Sequence, residues 1–160
     1  MRAAEGMRFL VVAVGHRMPP WVNAGFAEYA GRMPREARIE LIALKPAARG
    51  APLQRMLDAE GKRILAAVPA DCVRVALDER GTQFGTTDLA RRVARWREEG
   101  RDVAFVVGGA DGLAESVRKA AHLVWSLSPL TLPHGLARVV LAEQLYRAVS
   151  ILHNHPYHRE

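Results

Sequence analysis

Three segments of this 160-residue chain place glycine, proline and polar side chains directly after an apolar run, where open α/β sheets present ligands. The first is Leu77-Asp78-Glu79-Arg80-Gly81, the second Gly108-Gly109-Ala110-Asp111-Gly112. The third runs from Ser126 through Leu127, Ser128, Pro129, Leu130, Thr131, Leu132 and Pro133 to His134. Glycines without a Cβ let backbone approach a ligand closely. The second segment is not a G-x-G-x-x-G fingerprint, and no glycine-rich Lys-Ser/Thr loop exists, so dinucleotide and triphosphate chemistry lose support. Taken alone, it reads better as a tight strand-to-helix turn. In the third segment two prolines bar a central strand. Leu127, Leu130 and Leu132 could then line a slot for a flat ring such as adenine, whose polar edge meets free backbone N–H and C=O groups. The alternative is a proline-stiffened connection whose leucines fill the core.

A fourth cluster closes the chain, with His153, His155 and His158 around Pro156, beside Tyr157 and Arg159. Tyrosine and arginine stack on bases and pair with phosphates in RNA sites, whereas a metal reading lacks cysteines and a well-placed second shell. A polar tail is the plain alternative. Arg91, Arg92, Arg95 and Arg97, with Lys45, Arg49, Arg80 and Arg147, could form a phosphate-tracking surface or a solvated face.

Strands must position these segments. Phe9–Val14, Ile39–Leu44, Cys72–Leu77, Val103–Val107 and Leu123–Leu127 are apolar runs of strand length, as in strands covered on both faces. Helical spacing fills the intervals. Trp21–Arg32 predicts one helix and Pro52 opens a second at the position where proline costs least. Thr87 caps a third over Asp88–Glu99, which Gly100 stops, and a last helix spans Gly135–His153. The longest stretch left without regular structure is Asp78 to Thr86. The alternation predicts an α/β fold with a mainly parallel sheet sandwiched by helices.

Composition agrees with one globular domain. Hydrophobic residues make up 49% and charged residues 25%, which excludes a disordered chain. A formal charge of +6 makes an anionic partner, nucleic acid first, plausible. Cys72 alone cannot form an internal disulfide, which suits a reducing, cytoplasmic setting. The run after Arg8 is too short for an export signal or a membrane span. Residues 1–6 read as a disordered extension or a start-site ambiguity before Met7, leaving a domain over 7–160.

The third segment, followed by Leu136-Ala137-Arg138-Val139-Val140-Leu141-Ala142-Glu143-Gln144-Leu145-Tyr146-Arg147-Ala148 and closed by Asn154-His155-Pro156-Tyr157-His158-Arg159, resembles a known family. It is similar to the SPOUT-class methyltransferases that modify N3 of a pseudouridine in 23S ribosomal RNA. Val12-Ala13-Val14-Gly15, Leu77 to Gly81 and Gly108-Gly109 follow the family order. Asp111 stands where the family often has glutamate.

The resemblance implies a C-terminal trefoil knot holding S-adenosyl-L-methionine. Its contacts would be Leu77, Gly109 and Ser128, Pro129, Leu130, Thr131, Leu132 and Pro133, with Gly108 adjacent. It also implies a homodimer whose interface completes the site, largely through the last helix, with Arg147, Tyr157, His158 and Arg159 on the acceptor side. His158 or solvent would take the imide proton, and Arg147 or Arg159 would stabilise the resulting anion. The partner would be 23S rRNA in assembled ribosomal particles, with no membrane and no metal. Two readings from other classes stand beside it: a non-catalytic RNA-binding module assisting ribosome assembly, and a metal-dependent hydrolase built on the terminal histidines.

Overall fold

The computed structural model describes residues 6–159. The expected disordered extension over residues 1–6 therefore lies, apart from Gly6, outside the described residues.

Five strands form one sheet in the order β2-β1-β4-β3-β5, with every pairing parallel. They are β1 (Met7–Val14), β2 (Ala37–Leu44), β3 (Val73–Thr82), β4 (Val103–Val107) and β5 (Leu123–Trp125). Alternation along β1 and β4 explains their continuous apolar sequence, because both faces are covered. Phe9, Val11, Ala13, Val103, Phe105 and Val107 enter one core with Phe26 of α1 (Pro20–Arg32), Leu89 and Val93 of α3 (Thr86–Glu98), and Leu141 and Leu145 of α5 (His134–Leu152). Leu10, Val12, Val14, Ala104 and Val106 enter the other, with Ile64 of α2 (Leu53–Ala67) and Val117 of α4 (Glu115–Ala120). Helices α1, α3 and α5 thus cover one face, and α2 and α4 the other.

Several local expectations are corrected. β3 does not stop at Leu77 but continues to Thr82, so Asp78 to Thr82 is strand rather than loop. The extension follows an irregularity: Thr82 pairs with Trp125, and the Ser126 N–H donates to the Thr82 carbonyl at 2.9 Å. Gly81 permits the crossing, since a Cβ there would sit 2.6 Å from the Val124 carbonyl oxygen. β5 is correspondingly short and ends at Trp125 rather than Leu127.

Helix α3 begins at Thr86 with Gly85 at its N-cap, not at Thr87. The Thr86 hydroxyl donates instead to Gln144 Oε1 of α5 at 2.7 Å, tying two helices rather than capping one. Gly100, with φ +68, does end α3. Pro52 caps α2 from just outside it. Helix α4 has no counterpart in the sequence reading. A closing 3-10 turn, Pro156–Arg159, packs Tyr157 against Tyr146 of α5 with ring centroids 4.6 Å apart.

Candidate active site

Chain direction at the ends of the strands creates the site. Strand β4 leads to α4 on one face, while its neighbours β1 and β3 lead to α1 and α3 on the other. Their connections diverge on both sides of β4, and a crevice opens at each divergence.

The larger crevice, a cavity of about 810 Å³, lies between the ends of β3 and β4. That volume falls within the range of small-molecule sites. Leu77, Asp78, Glu79 and Arg80 form one side, Val107 to Leu113 another, and the segment from Ser126 to His134, with Ala137, closes it. All three segments picked out by sequence therefore meet in one cavity. Of the nine residues assigned to a nucleoside-bearing ligand, Leu77, Gly108, Gly109, Ser128, Leu130, Thr131, Leu132 and Pro133 lie on its wall; Pro129 does not.

The wall is shaped by backbone. A Cβ on Gly108 would lie 2.5 Å from the Gly112 carbonyl oxygen, so this turn closes only around glycine. Gly112 adopts φ +87, and its N–H donates to the Gly109 carbonyl at 3.1 Å. On the opposite wall Ser126 Oγ donates to the Ser128 carbonyl at 2.9 Å, and the Leu130 N–H donates to Ser128 Oγ at 2.9 Å. Those bonds satisfy the irregular chain locally while leaving Leu130 71% exposed at the rim.

Charge on the β3 side is fixed by pairing. Asp78 accepts the Arg80 N–H and Nε at 2.9 and 3.1 Å and lies 3.4 Å from Arg118 Nη1. Burial works against its ionisation, yet the bonds from Arg80 and the charges of Arg80 and Arg118 prevail and hold the carboxyl below the usual carboxylate range. Arg118 also pairs with Glu115 and donates to the Leu113 carbonyl at 2.8 Å.

A second cavity, about 350 Å³, occupies the divergence between β1 and β4. Gly15, His16, Arg17, Met18, Ala47, Arg49 and Glu60 line it, and it shares Gly109, Ala110, Asp111 and His134 with the first. Sequence reading passed over most of these residues. Gly15-His16-Arg17 follows the first apolar run, so the strand-end rule reaches them too. Behind the shared wall Arg138 is fully buried, its Nη2 donating to the carbonyls of Val14 at 3.1 Å and Gly15 at 2.5 Å.

The residues expected on the acceptor side gather elsewhere. Arg147 Nε donates to Glu143 Oε1 at 2.8 Å, and its guanidinium lies 4.7 Å from the centroid of Tyr157. The Tyr157 hydroxyl donates to Glu143 Oε1 at 3.1 Å; burial and its hydrogen bonds to Tyr29 and Glu143 push its ionisation well above the ordinary phenol. His158 Nδ1 bonds the His155 carbonyl, and Arg159 is exposed. Within one chain, ten helical residues, roughly 15 Å, separate Ala137 at the large cavity from Arg147. The structure brings Arg147, Tyr157 and His158 together but does not bring them to the cavity. Among the described residues no group of His, Cys, Asp or Glu could hold a metal ion, and no helix is long and apolar enough to cross a membrane.

Comparison with known proteins adds a family. A model described as predicted SPOUT methyltransferase matches residues 7–158. The chain is 56% identical over 155 residues to ribosomal RNA large subunit methyltransferase H of Nitrosospira multiformis, covering 96% of this chain and 99% of that protein. It is 54% identical over 156 residues to the protein of the same name in Thioalkalivibrio sulfidiphilus, covering 96% and 100%. A solved methyltransferase from Bordetella pertussis superposes with TM-score 0.56 at 17% identity, over 93% of this chain and 99% of that one. A methylase-family protein from Neisseria gonorrhoeae gives TM-score 0.54 at 15% identity, over 88% and 82%.

Proposed function

The chain belongs to the SPOUT methyltransferase family, and on that premise we propose that it transfers a methyl group from S-adenosyl-L-methionine to N3 of a pseudouridine in 23S ribosomal RNA. The observation that carries the reading is the cavity after β3 and β4, where the three strand-end segments converge. Its dimensions and its mix of leucine side chains with exposed main chain suit a nucleoside bearing a short polar tail. Leu77, Gly108, Gly109, Ser128, Leu130, Thr131, Leu132 and Pro133 would hold it, Pro129 stiffening the loop. When bound, the cofactor supplies an electrophilic methyl group on a sulfonium.

The chain's own task is positioning. Alignment of two reactants removes the entropy of bringing them together, which supplies much of the rate in a displacement needing little other assistance. Gly81, passing tightly over β5, and the 126–133 segment are the strands of a trefoil knot in this reading, with 7–160 as one domain. Because Arg147, Tyr157, His158 and Arg159 lie at the far end of α5, they serve the acceptor in a homodimer, where one protomer's tail reaches its partner's cavity. There Arg147 or Arg159 stabilises charge developing on the carbonyl oxygens of the base, and Tyr157 and His158 contact the nucleotide. A basic, one-domain enzyme of this size draws its remaining selectivity from the assembled ribosomal particle in the cytoplasm.

The test is mass spectrometry of 23S rRNA from cells lacking the gene. One methyl on a pseudouridine is lost, and purified protein with S-adenosylmethionine restores it on ribosomal particles. Unchanged methylation in those cells overturns the reading.

A further inference from the structure

The smaller cavity is unused by the donor site, although strand topology makes it an equal ligand position. It occupies the divergence between β1 and β4, shares the Gly109–Asp111 turn with the donor cavity, and has three cationic or basic side chains, His16, Arg17 and Arg49, exposed on its wall. Such a rim suits a phosphate, and about 350 Å³ admits a single ring with part of its sugar.

His134 stands on the wall common to both cavities. Its Nε2 lies over Gly15, 3.8 Å from where a Cβ would be, and that Cβ would also sit 3.1 Å from Arg138 Nη2. Gly15, at φ +118, is thus the residue that lets imidazole and guanidinium approach the end of β1 together. Among the described residues the His134 imidazole makes no hydrogen bond and Arg138 no ion pair, so the ring keeps both nitrogens for a ligand. Burial, then the charge of Arg138, pushes His134 below the ordinary imidazole range, so at neutral pH the ring is an acceptor.

We propose that the smaller cavity seats the acceptor nucleotide and that His134 Nε2, on the wall between the two cavities, takes the proton from the imide nitrogen of its base. The inference rests on the methyltransferase reading above. The N–H bonding pair stays on the base nitrogen as the proton passes to Nε2. That pair then forms the new nitrogen–carbon bond while the sulfur–carbon pair leaves with sulfur, and His134 returns its proton to water. Burial and the charge of Arg138 on its own helix shift its titration; the other charged or titratable groups lining the two cavities with it are His16 and Arg17 after β1, Arg49 after β2, Glu60 on α2, Asp111 after β4, and Asp78, Glu79 and Arg80 of β3.

The experiment compares wild type with His134→Gln on ribosomal particles at saturating S-adenosylmethionine from pH 6 to 9. S-adenosylhomocysteine binding, measured by calorimetry, reports separately on the donor cavity. Loss of a general base lowers kcat by about 10²–10⁴-fold at neutral pH. The variant's rate then climbs about tenfold per pH unit as solvent ionises the base, while wild type flattens above the His134 titration. A merely structural role would lower both arms without that slope. Independently, the His134 ring resonances of the wild-type protein shift saturably on adding uridine 5′-monophosphate with S-adenosylhomocysteine. A variant rate within threefold of wild type across the range, or an unmoved His134 resonance, overturns the assignment and leaves the methyltransferase reading standing. Wild-type protein that neither binds S-adenosylhomocysteine nor methylates particles overturns both.

Discussion

Gly108 and Gly112 sit four residues apart in one turn yet resist substitution for different reasons, which makes them a matched test of the proposal that the larger cavity holds the donor. At Gly108 an alanine Cβ would lie 2.5 Å from the Gly112 carbonyl oxygen, 2.7 Å from its carbon and 3.0 Å from Leu113 Cδ2. Two of those contacts are backbone, so the turn itself must move, and the Gly109–Gly112 bridge that frames the cavity moves with it. Overpacking of this kind costs about 1–3 kcal/mol. At Gly112 a Cβ meets nothing within 4 Å; the penalty is the positive φ of +87 alone, about 1–2 kcal/mol, with no displaced neighbour. Stability alone hardly separates the two, since each kcal/mol shifts Tm by about 2–4 °C in a chain of this size. Ligand binding does. Gly108→Ala is expected to weaken S-adenosylhomocysteine at least tenfold by calorimetry, and Gly112→Ala by less than threefold, at comparable Tm. If Gly108→Ala retains donor affinity within threefold, the cavity wall is not held by close packing at that turn and the reasoning fails.

Asp78→Asn removes an acceptor from Arg80 and Arg118 and is expected to destabilise the protein by about 1–3 kcal/mol at pH 7. Because the folded carboxyl ionises below its unfolded value, that stabilisation is full above about pH 4 and vanishes as pH falls through the folded value. Urea melts of wild type and variant should therefore differ at pH 7 and converge toward pH 2; a constant gap would refute the pairing. Mixing protomers tests where the tail acts. Gly108→Ala and Arg159→Ala homodimers should each be impaired, whereas co-expression should restore about a quarter of wild-type activity, since half the dimers are mixed and each carries one intact site. No restoration would place cavity and tail in the same chain. On ribosomal particles activity should be strong and fall with salt, while a short naked RNA should be a poor substrate; equal rates on both would remove the ribosome from recognition.

The strands were legible because burial on both faces leaves an unmistakable apolar run, and Val103–Val107 is bounded identically in sequence and structure. Residues whose order depends on tertiary partners were not. Asp78 to Thr82 looks like loop because its side chains are polar; what makes it strand is Thr82 meeting Trp125, a pairing no local pattern announces. Helix α4 is six residues with one buried side chain, Val117, too little for a periodicity to register. The strand-end rule picked out the three segments that meet in the larger cavity, while the choice of single residues within them came from the family resemblance, and Pro129 lies off the wall. Arg147 and Tyr157 were legible only as RNA-contacting types set against a solvated helix face and a polar tail; the expectation that they act together on an acceptor came from the family resemblance. His134 was visible as the end of a loop, but its place between two cavities depends on strand order.

That order bears most of the functional weight. Because β4 turns toward α4 while both its neighbours turn away, the Gly108–Gly112 connection is left as a thin partition with a crevice on each side, and two ligands can approach through opposite walls of one turn. A partition made of main chain needs support, and α5 provides it from behind through Arg138. A fully buried guanidinium with no carboxylate partner among the described residues is costly to keep, and burial lowers its ionisation. Two carbonyls at the end of β1 offset part of that cost and leave Nε without a partner. An apolar side chain of similar volume would avoid the desolvation but would take the Nη2 donor from both carbonyls and remove the charge that, after burial, pushes His134 below the ordinary imidazole range. The fold therefore retains a poor stability choice at the one place where the end of β1, the start of α5 and the two cavities meet, which is where the transfer is expected to occur.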